Sequence, residues 1–236
     1  MLTNDPKILG LALLGGIVPA LFWLWFWLKE NQEKPEPKGL LTICFILGML
    51  SVILVLPIQK FIQTNIGSHQ LQVISWASVE EIIKYLAVMV VVYKTIYINE
   101  PIDWPIYLIT AALGFAALEN TLFLIKPLLL DQAIVGLLTG QLRFLGSTLL
   151  HAVSSGIIGI TLGLSFYMEW FKRKWYLLTG FILAIALHSA FNFFIMKNDG
   201  SDFLRVFAFL WVVTIIIMLL FEKLRRMSKK VNIVYQ

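Results

Sequence analysis

Cysteine is almost missing from this chain. Cys44 is the single example in 236 residues and lies inside an apolar run, which excludes an internal disulfide and a cysteine-rich metal site. Charge is scarce too: 14% of residues carry one, against roughly a quarter in a soluble domain. No direct or inverted repeat and no low-complexity tract is visible, which counts against transporter folds built from duplicated halves. The net charge of +5 is unaccompanied by a basic stripe or an RNA-binding motif, so no nucleic-acid partner is expected.

What fills the space is hydrocarbon. Hydrophobic residues make up 59% of the chain and the mean hydropathy is +0.82, which marks a polytopic membrane protein. Apolar runs long enough to cross a bilayer fall at 8–28, 39–58, 71–96, 105–125, 143–168, 175–196 and 203–221. The expected fold is all-α, a bundle of seven transmembrane helices in one integral-membrane domain over 1–236. The first run exceeds a signal-peptide core and has no small-residue cleavage pattern after it, so it is expected to be a mature helix. Residues 29–38 read as a polar, proline-punctuated linker. Residues 128–142 are apolar but short, and Pro127, Gly136 and Gly140 allow breaks; a re-entrant or interfacial segment is expected there, an eighth element if counted.

Lys and Arg outside these runs divide unevenly. Twelve lie on the side of the 29–38 loop, the 172–174 loop and the C-terminal tail, whereas five (Lys7, Lys60, Lys126, Lys197 and Arg205) lie opposite. The positive-inside rule then predicts a cytoplasmic C-terminus and an external N-terminus in the cell membrane.

Against that background, five ionisable groups stand inside the spans: Glu80, Glu81, Glu119, His151 and His188. Each costs a few kcal/mol or more at bilayer depth unless it faces a protein interior or a water-filled cavity. At 1.5 Å per residue, Glu80 lies roughly 14 Å from the outer end of its helix, Glu119 about 9 Å, and His151 and His188 about 12 Å each. Alternating helices would have no reason to agree in depth if the charges were scattered, so one shared site toward the outer leaflet is expected. Adjacent Glu80 and Glu81 point about 100° apart, leaving one free to face the site while the other pairs with Lys84. Phe115 shares a face with Glu119 and reads as a packing residue; Arg143 or Lys84 is a possible partner for Glu119. Arg143, Ser147 and His151 follow at four-residue steps. His188 and Asn192, one turn apart, form a usable half-site for a metal or a polarised water. Gly156, Gly159 and Gly163 read as close helix-packing positions.

The succession Glu80-Glu81-x-x-Lys84, Phe115-x-x-x-Glu119, His151 and His188-x-x-x-Asn192 resembles the PrsW family of intramembrane proteases, and through it the CAAX prenyl protease and bacteriocin-processing superfamily. The match covers residues 80–192, within a motif-bearing core of about 71–196. Glu119 stands where CAAX proteases have His, and Lys84 replaces their Arg one residue further on. Both departures fit the PrsW branch and count against prenyl-protein processing.

The resemblance implies a peptidase that cuts membrane-anchored proteins, such as a single-pass anti-sigma factor, at an extracytoplasmic position. It carries catalytic importance onto Glu80, Glu81 and His151, and site membership onto Glu119, His188 and Asn192. Chemically, Glu119, His151 and His188 are candidate ligands of a zinc ion that lowers the pKa of a bound water, with Glu80 or Glu81 as general base. Asn192 is a candidate to orient that water or to donate to the oxyanion, and Lys84 to hold the spare carboxylate. Two alternatives stay open: a metal-free mechanism in which glutamate and histidine activate water, and a proton- or ion-coupled carrier built from the same residue types.

The charge asymmetry makes one prediction at this level. A reporter fused after Gln236 is expected to behave as cytoplasmic, and a cysteine placed near Lys197 to react with an impermeant thiol reagent added outside intact cells. Labelling only after the membrane is broken overturns the orientation.

Overall fold

The computed structural model describes residues 5–29, 34–92, 95–130, 143–197 and 203–234. Within them the chain forms seven α-helices: α1 (Pro6–Lys29), α2 (Lys38–Asn65), α3 (His69–Val92), α4 (Asp103–Leu129), α5 (Thr148–Leu164), α6 (Trp170–Lys197) and α7 (Phe203–Val234). A π-helical segment, Arg143–Ser147, leads into α5. All seven apolar runs are helical, and six helices are long and apolar enough to cross a membrane. The exception is α3, whose middle carries Glu80, Glu81 and Lys84. The segment expected at 128–142 lies mostly outside the described residues; Leu128 and Leu129 close α4.

Several boundaries shift by about four or five residues, and two helices run well past their apolar runs because a helix does not stop where its apolar run stops. Backbone hydrogen bonding carries α2 past residue 58 to Asn65, and α7 continues past 221 to Val234 with Lys and Arg on its last turns. Five helices surround a central pair, α4 and α5. In α4 and α5, 78% and 83% of the apolar stretch is buried, compared with 22–33% in α1, α2, α6 and α7. The outer helices therefore expose Leu, Ile and Phe side chains such as Leu54, Phe61, Ile182 and Leu219, as a bilayer-facing surface requires.

Helices pack this closely because small residues let their backbones meet. With no water to drive apolar faces together, van der Waals contact is the main source of association in lipid, and glycine permits the nearest approach. A Cβ added at Gly48 of α2 would lie 2.0 Å from the Ala111 carbonyl oxygen of α4, and one at Gly114 of α4 would lie 2.0 Å from that of Phe45. The two glycines thus face each other's helix in a reciprocal contact. Gly159 and Gly163 of α5 likewise abut Pro105 and the Pro101 carbonyl, whereas Gly156 meets the Ile109 and Ile217 side chains at an ordinary 3.4–3.8 Å.

Gly48→Ala and Gly114→Ala are each expected to lower stability by about 1–3 kcal/mol through overpacking, read as thermal unfolding in detergent. Their effects should not add, since both wedge apart the same interface. Gly10→Ala, at a position open within 4 Å, serves as the neutral control.

Candidate active site

Four helices bring the sequence's polar groups to one place. Counted from the observed helix ends, with the π-helical segment from Arg143 taken as the start of α5, Glu80, Glu119, His151 and His188 sit roughly 12–16 Å from ends that alternation puts on one side of the bundle. Glu80, Glu81, Lys84, His151 and His188 are all buried, and Glu119 is the most open of the group, its side chain 19% exposed.

The helical rotation of about 100° per residue sends the two adjacent carboxylates of α3 to different neighbours. Glu81 points toward α5 and α6. Its Oε1 receives Lys84 Nζ at 2.6 Å and lies 2.8 Å from His188 Nδ1, and its Oε2 accepts a hydrogen bond from Ser155 Oγ at 2.7 Å. A carboxylate at 0% exposure is thereby matched by one ammonium, one imidazole and one hydroxyl. Glu80 turns toward α2 and the two imidazoles: its Oε1 accepts from Gln59 Nε2 at 2.8 Å. Its Oε2 is buried and accepts no hydrogen bond among the described residues.

The hydrogen-bond pattern assigns the imidazole tautomers. Lys84 has only donors to offer, so at 2.9 Å from His151 Nδ1 it makes that nitrogen the acceptor. The ring proton then sits on Nε2, facing Glu119 Oε2 at 3.1 Å. In His188 the proton sits on Nδ1, which donates to Glu81, and Nε2 keeps its lone pair. That lone pair lies 3.5 Å from the orphaned Glu80 Oε2, and His151 Nδ1 lies 3.9 Å from the same oxygen. Lys84 Nζ, 4.0 Å from Glu80 Oε2 and 4.6 Å above the Phe115 ring, adds positive charge to the triangle. Phe115 therefore does more than fill space: its ring faces both the ammonium and, at 5.2 Å, His151.

Two acceptor atoms facing each other inside an apolar bundle repel unless a proton or a cation stands between them. Glu80, His151 and His188 each offer a ligand atom, and these lie within 4.8 Å of one another. One carboxylate and two imidazoles form a common catalytic metal set. The hydrogen bonds from the remaining ring nitrogens to Glu81 and Glu119 are what metal-bound histidines ordinarily make. The residues present therefore fit a divalent metal, with the ion taking from Lys84 Nζ the His151 Nδ1 lone pair that the ammonium holds at 2.9 Å. The set has Glu80 in the position that the sequence reading gives to Glu119.

Of the other expected residues, Asn192 is half-buried one turn beyond His188 and makes no hydrogen bond to the group among the described residues. The Arg143 side chain lies outside the described residues. The sequence reading passed over Gln59 and Ser155, as well as the Asn120 Nδ2 to Thr148 Oγ1 bond of 2.8 Å that ties α4 to α5 beside Glu119. Ser155 shares a helix face with His151 and could have been found from that spacing. Gln59 lies one residue past an apolar run and carries no charge to mark it.

Comparison with known proteins agrees with this geometry. A family model described as "PrsW family intramembrane metalloprotease" matches residues 36–221. Protease PrsW of Shouchella clausii is 30% identical over 92% of this chain and 96% of its own length. The Geobacillus kaustophilus protease PrsW is 29% identical over 78% and 79%, and that of Bacillus subtilis 28% over 83% and 88%. No solved structure matches the chain. The buried carboxylate–imidazole centre thus stands in a multi-pass membrane peptidase, and the chain belongs to the PrsW family of intramembrane metalloproteases.

Proposed function

We propose that the chain is a zinc-dependent peptidase, one domain over 1–236, that hydrolyses a single-pass membrane protein of the anti-sigma-factor kind. The site opens toward the outer leaflet, with the N-terminus outside and the C-terminus in the cytoplasm. The observation that carries the metal assignment is the orphaned Glu80 Oε2 facing His188 Nε2 at 3.5 Å and His151 Nδ1 at 3.9 Å. Glu80, His151 and His188 would hold the ion, and a bound zinc would lower the pKa of a coordinated water to near neutrality. Two imidazoles and one carboxylate are a donor set that catalytic zinc takes in other peptidases.

The remaining roles follow from exposure and bonding. Glu81 is fully enclosed by Lys84, His188 and Ser155, so it orients His188 and has no free face for water. Glu119 is the accessible carboxylate and touches His151 Nε2. It is suited to take a proton from the attacking water and return it to the leaving amine. The sequence reading has Glu119 as ligand and Glu80 or Glu81 as base; here Glu80 is the ligand and Glu119 the base. Lys84 keeps Glu81 ionised and adds positive potential near the developing oxyanion. Asn192, half-buried on the face of His188, is placed to hold the substrate carbonyl or the water.

Metal content separates these roles. The purified protein should carry about one equivalent of zinc, lose cleavage of a co-reconstituted substrate on chelation and regain it with zinc. Glu80→Gln and His188→Ala should lose both metal and cleavage. Glu119→Gln should keep the metal while cleavage falls about 10²-fold or more. The reverse result restores Glu119 as ligand; full activity in metal-free protein points to direct activation of water by glutamate and histidine.

Proton competition gives a further expectation. Only neutral imidazole ligates, so zinc affinity should decline as pH falls below about 6.5. Titration with a competing chelator checks this, and pH-independent affinity would count against histidine ligation.

A further inference from the structure

We infer that Gln59 is a positioning residue for the metal centre, acting through Glu80. This rests on the reading of Glu80 as a ligand. Gln59 belongs to the stretch of α2 beyond the apolar run, two residues after Pro57, whose missing N–H leaves the Ile53 carbonyl without its helical partner. There α2 and α3 run as an antiparallel pair around the turn at 66–68, and Gln59 and Trp76 lie about two turns from it on either side. Trp76 Nε1 donates to the Gln59 carbonyl oxygen at 3.2 Å, pinning the backbone of one helix to a side chain of the other. One turn deeper along α3, Glu80 presents Oε1 to the Gln59 amide at 2.8 Å.

The consequence is a choice between two otherwise equivalent oxygens. An amide donor on Oε1 fixes the plane of the carboxylate and directs the second oxygen, Oε2, at the two imidazoles. Without it the carboxylate is free to rotate about its last bond, whose torsional profile is broad. Removing a hydrogen-bond partner that orients a metal ligand usually weakens metal binding by about 10–100-fold. A neutral amide serves here where a carboxylate or an ammonium would not: it supplies a donor without adding charge beside a negative ligand.

The test measures zinc affinity by chelator competition and the visible spectrum of the cobalt-substituted protein, for Gln59→Leu and Gln59→Met, each alone and in the Glu80→Gln background. Expected is a 10–100-fold loss of zinc affinity and an altered cobalt spectrum in the single variants. The Glu80→Gln protein, which itself loses the metal, is compared by unfolding temperature alone, and there neither substitution should destabilise further. Single variants with wild-type affinity and spectrum overturn the inference while Glu80→Gln still loses the metal. Unfolding temperatures lowered equally in both backgrounds reduce Gln59 to a structural contact and overturn it too. If Glu80→Gln itself keeps the metal, the ligand reading fails and this inference with it. Gln59→Met guards against misfolding of the leucine variant, since its unbranched side chain adapts to the same space.

Discussion

A carboxylate enclosed in hydrocarbon is tolerable only if its charge is answered on every side, and Glu81 is the residue on which this bundle turns. Its two oxygens engage groups from three helices: Lys84 on α3 itself, Ser155 on α5 and His188 on α6. Breaking such an arrangement by removing one partner leaves an uncompensated charge and costs several kcal/mol. The interaction therefore fixes the rotation of α3 about its axis. Once Glu81 faces α5 and α6, the preceding residue must face about 100° away, toward α2 and the imidazoles. The position of Glu80 follows from the demands of Glu81.

Charge neutrality and chemistry are separated within the same few ångströms. Glu81 and Lys84 are fully enclosed and hydrogen-bonded to several partners, and Glu81 holds His188 in one tautomer. Glu80 differs in having a buried oxygen that accepts no hydrogen bond among the described residues, and Glu119 in being partly open while it contacts His151. A site of this kind draws its rigidity from the enclosed members and leaves the others for chemistry. The reciprocal glycine contact between α2 and α4 extends that rigidity, because it fixes the helix that carries Gln59 against the helix that carries Glu119.

Much of this was legible in the chain. Seven apolar runs became seven helices, and the shared depth of Glu80, Glu119, His151 and His188 was recoverable by counting residues, since helical rise is constant. That Glu80 faces both imidazoles while Glu119 meets His151 was not legible. It depends on how each helix is rotated, which packing decides and spacing does not. Gln59 escaped notice because α2 outlasts its apolar run, so a residue assigned to a loop belongs to a helix. Lys84 was readable as the partner of a glutamate, but its place above Phe115 and against His151 required the contact between α3, α4 and α5.

The make-up of α3 has a consequence for how the protein is built. A ribosome delivers helices in order, so α3 reaches the bilayer before α5 and α6 have been synthesised. At that moment neither Ser155 nor His188 exists to receive Glu81. Each bare charge at mid-membrane costs about 2.5–3.5 kcal/mol on insertion scales. The pair that can form at once is internal to the helix, Glu81 with Lys84 three residues on, while Gln59 on the newly inserted α2 is available to Glu80. The ammonium that later orders the finished centre is thus also the counter-ion that lets α3 wait in lipid for its partners, and the hairpin of α2 and α3 is the unit in which it waits.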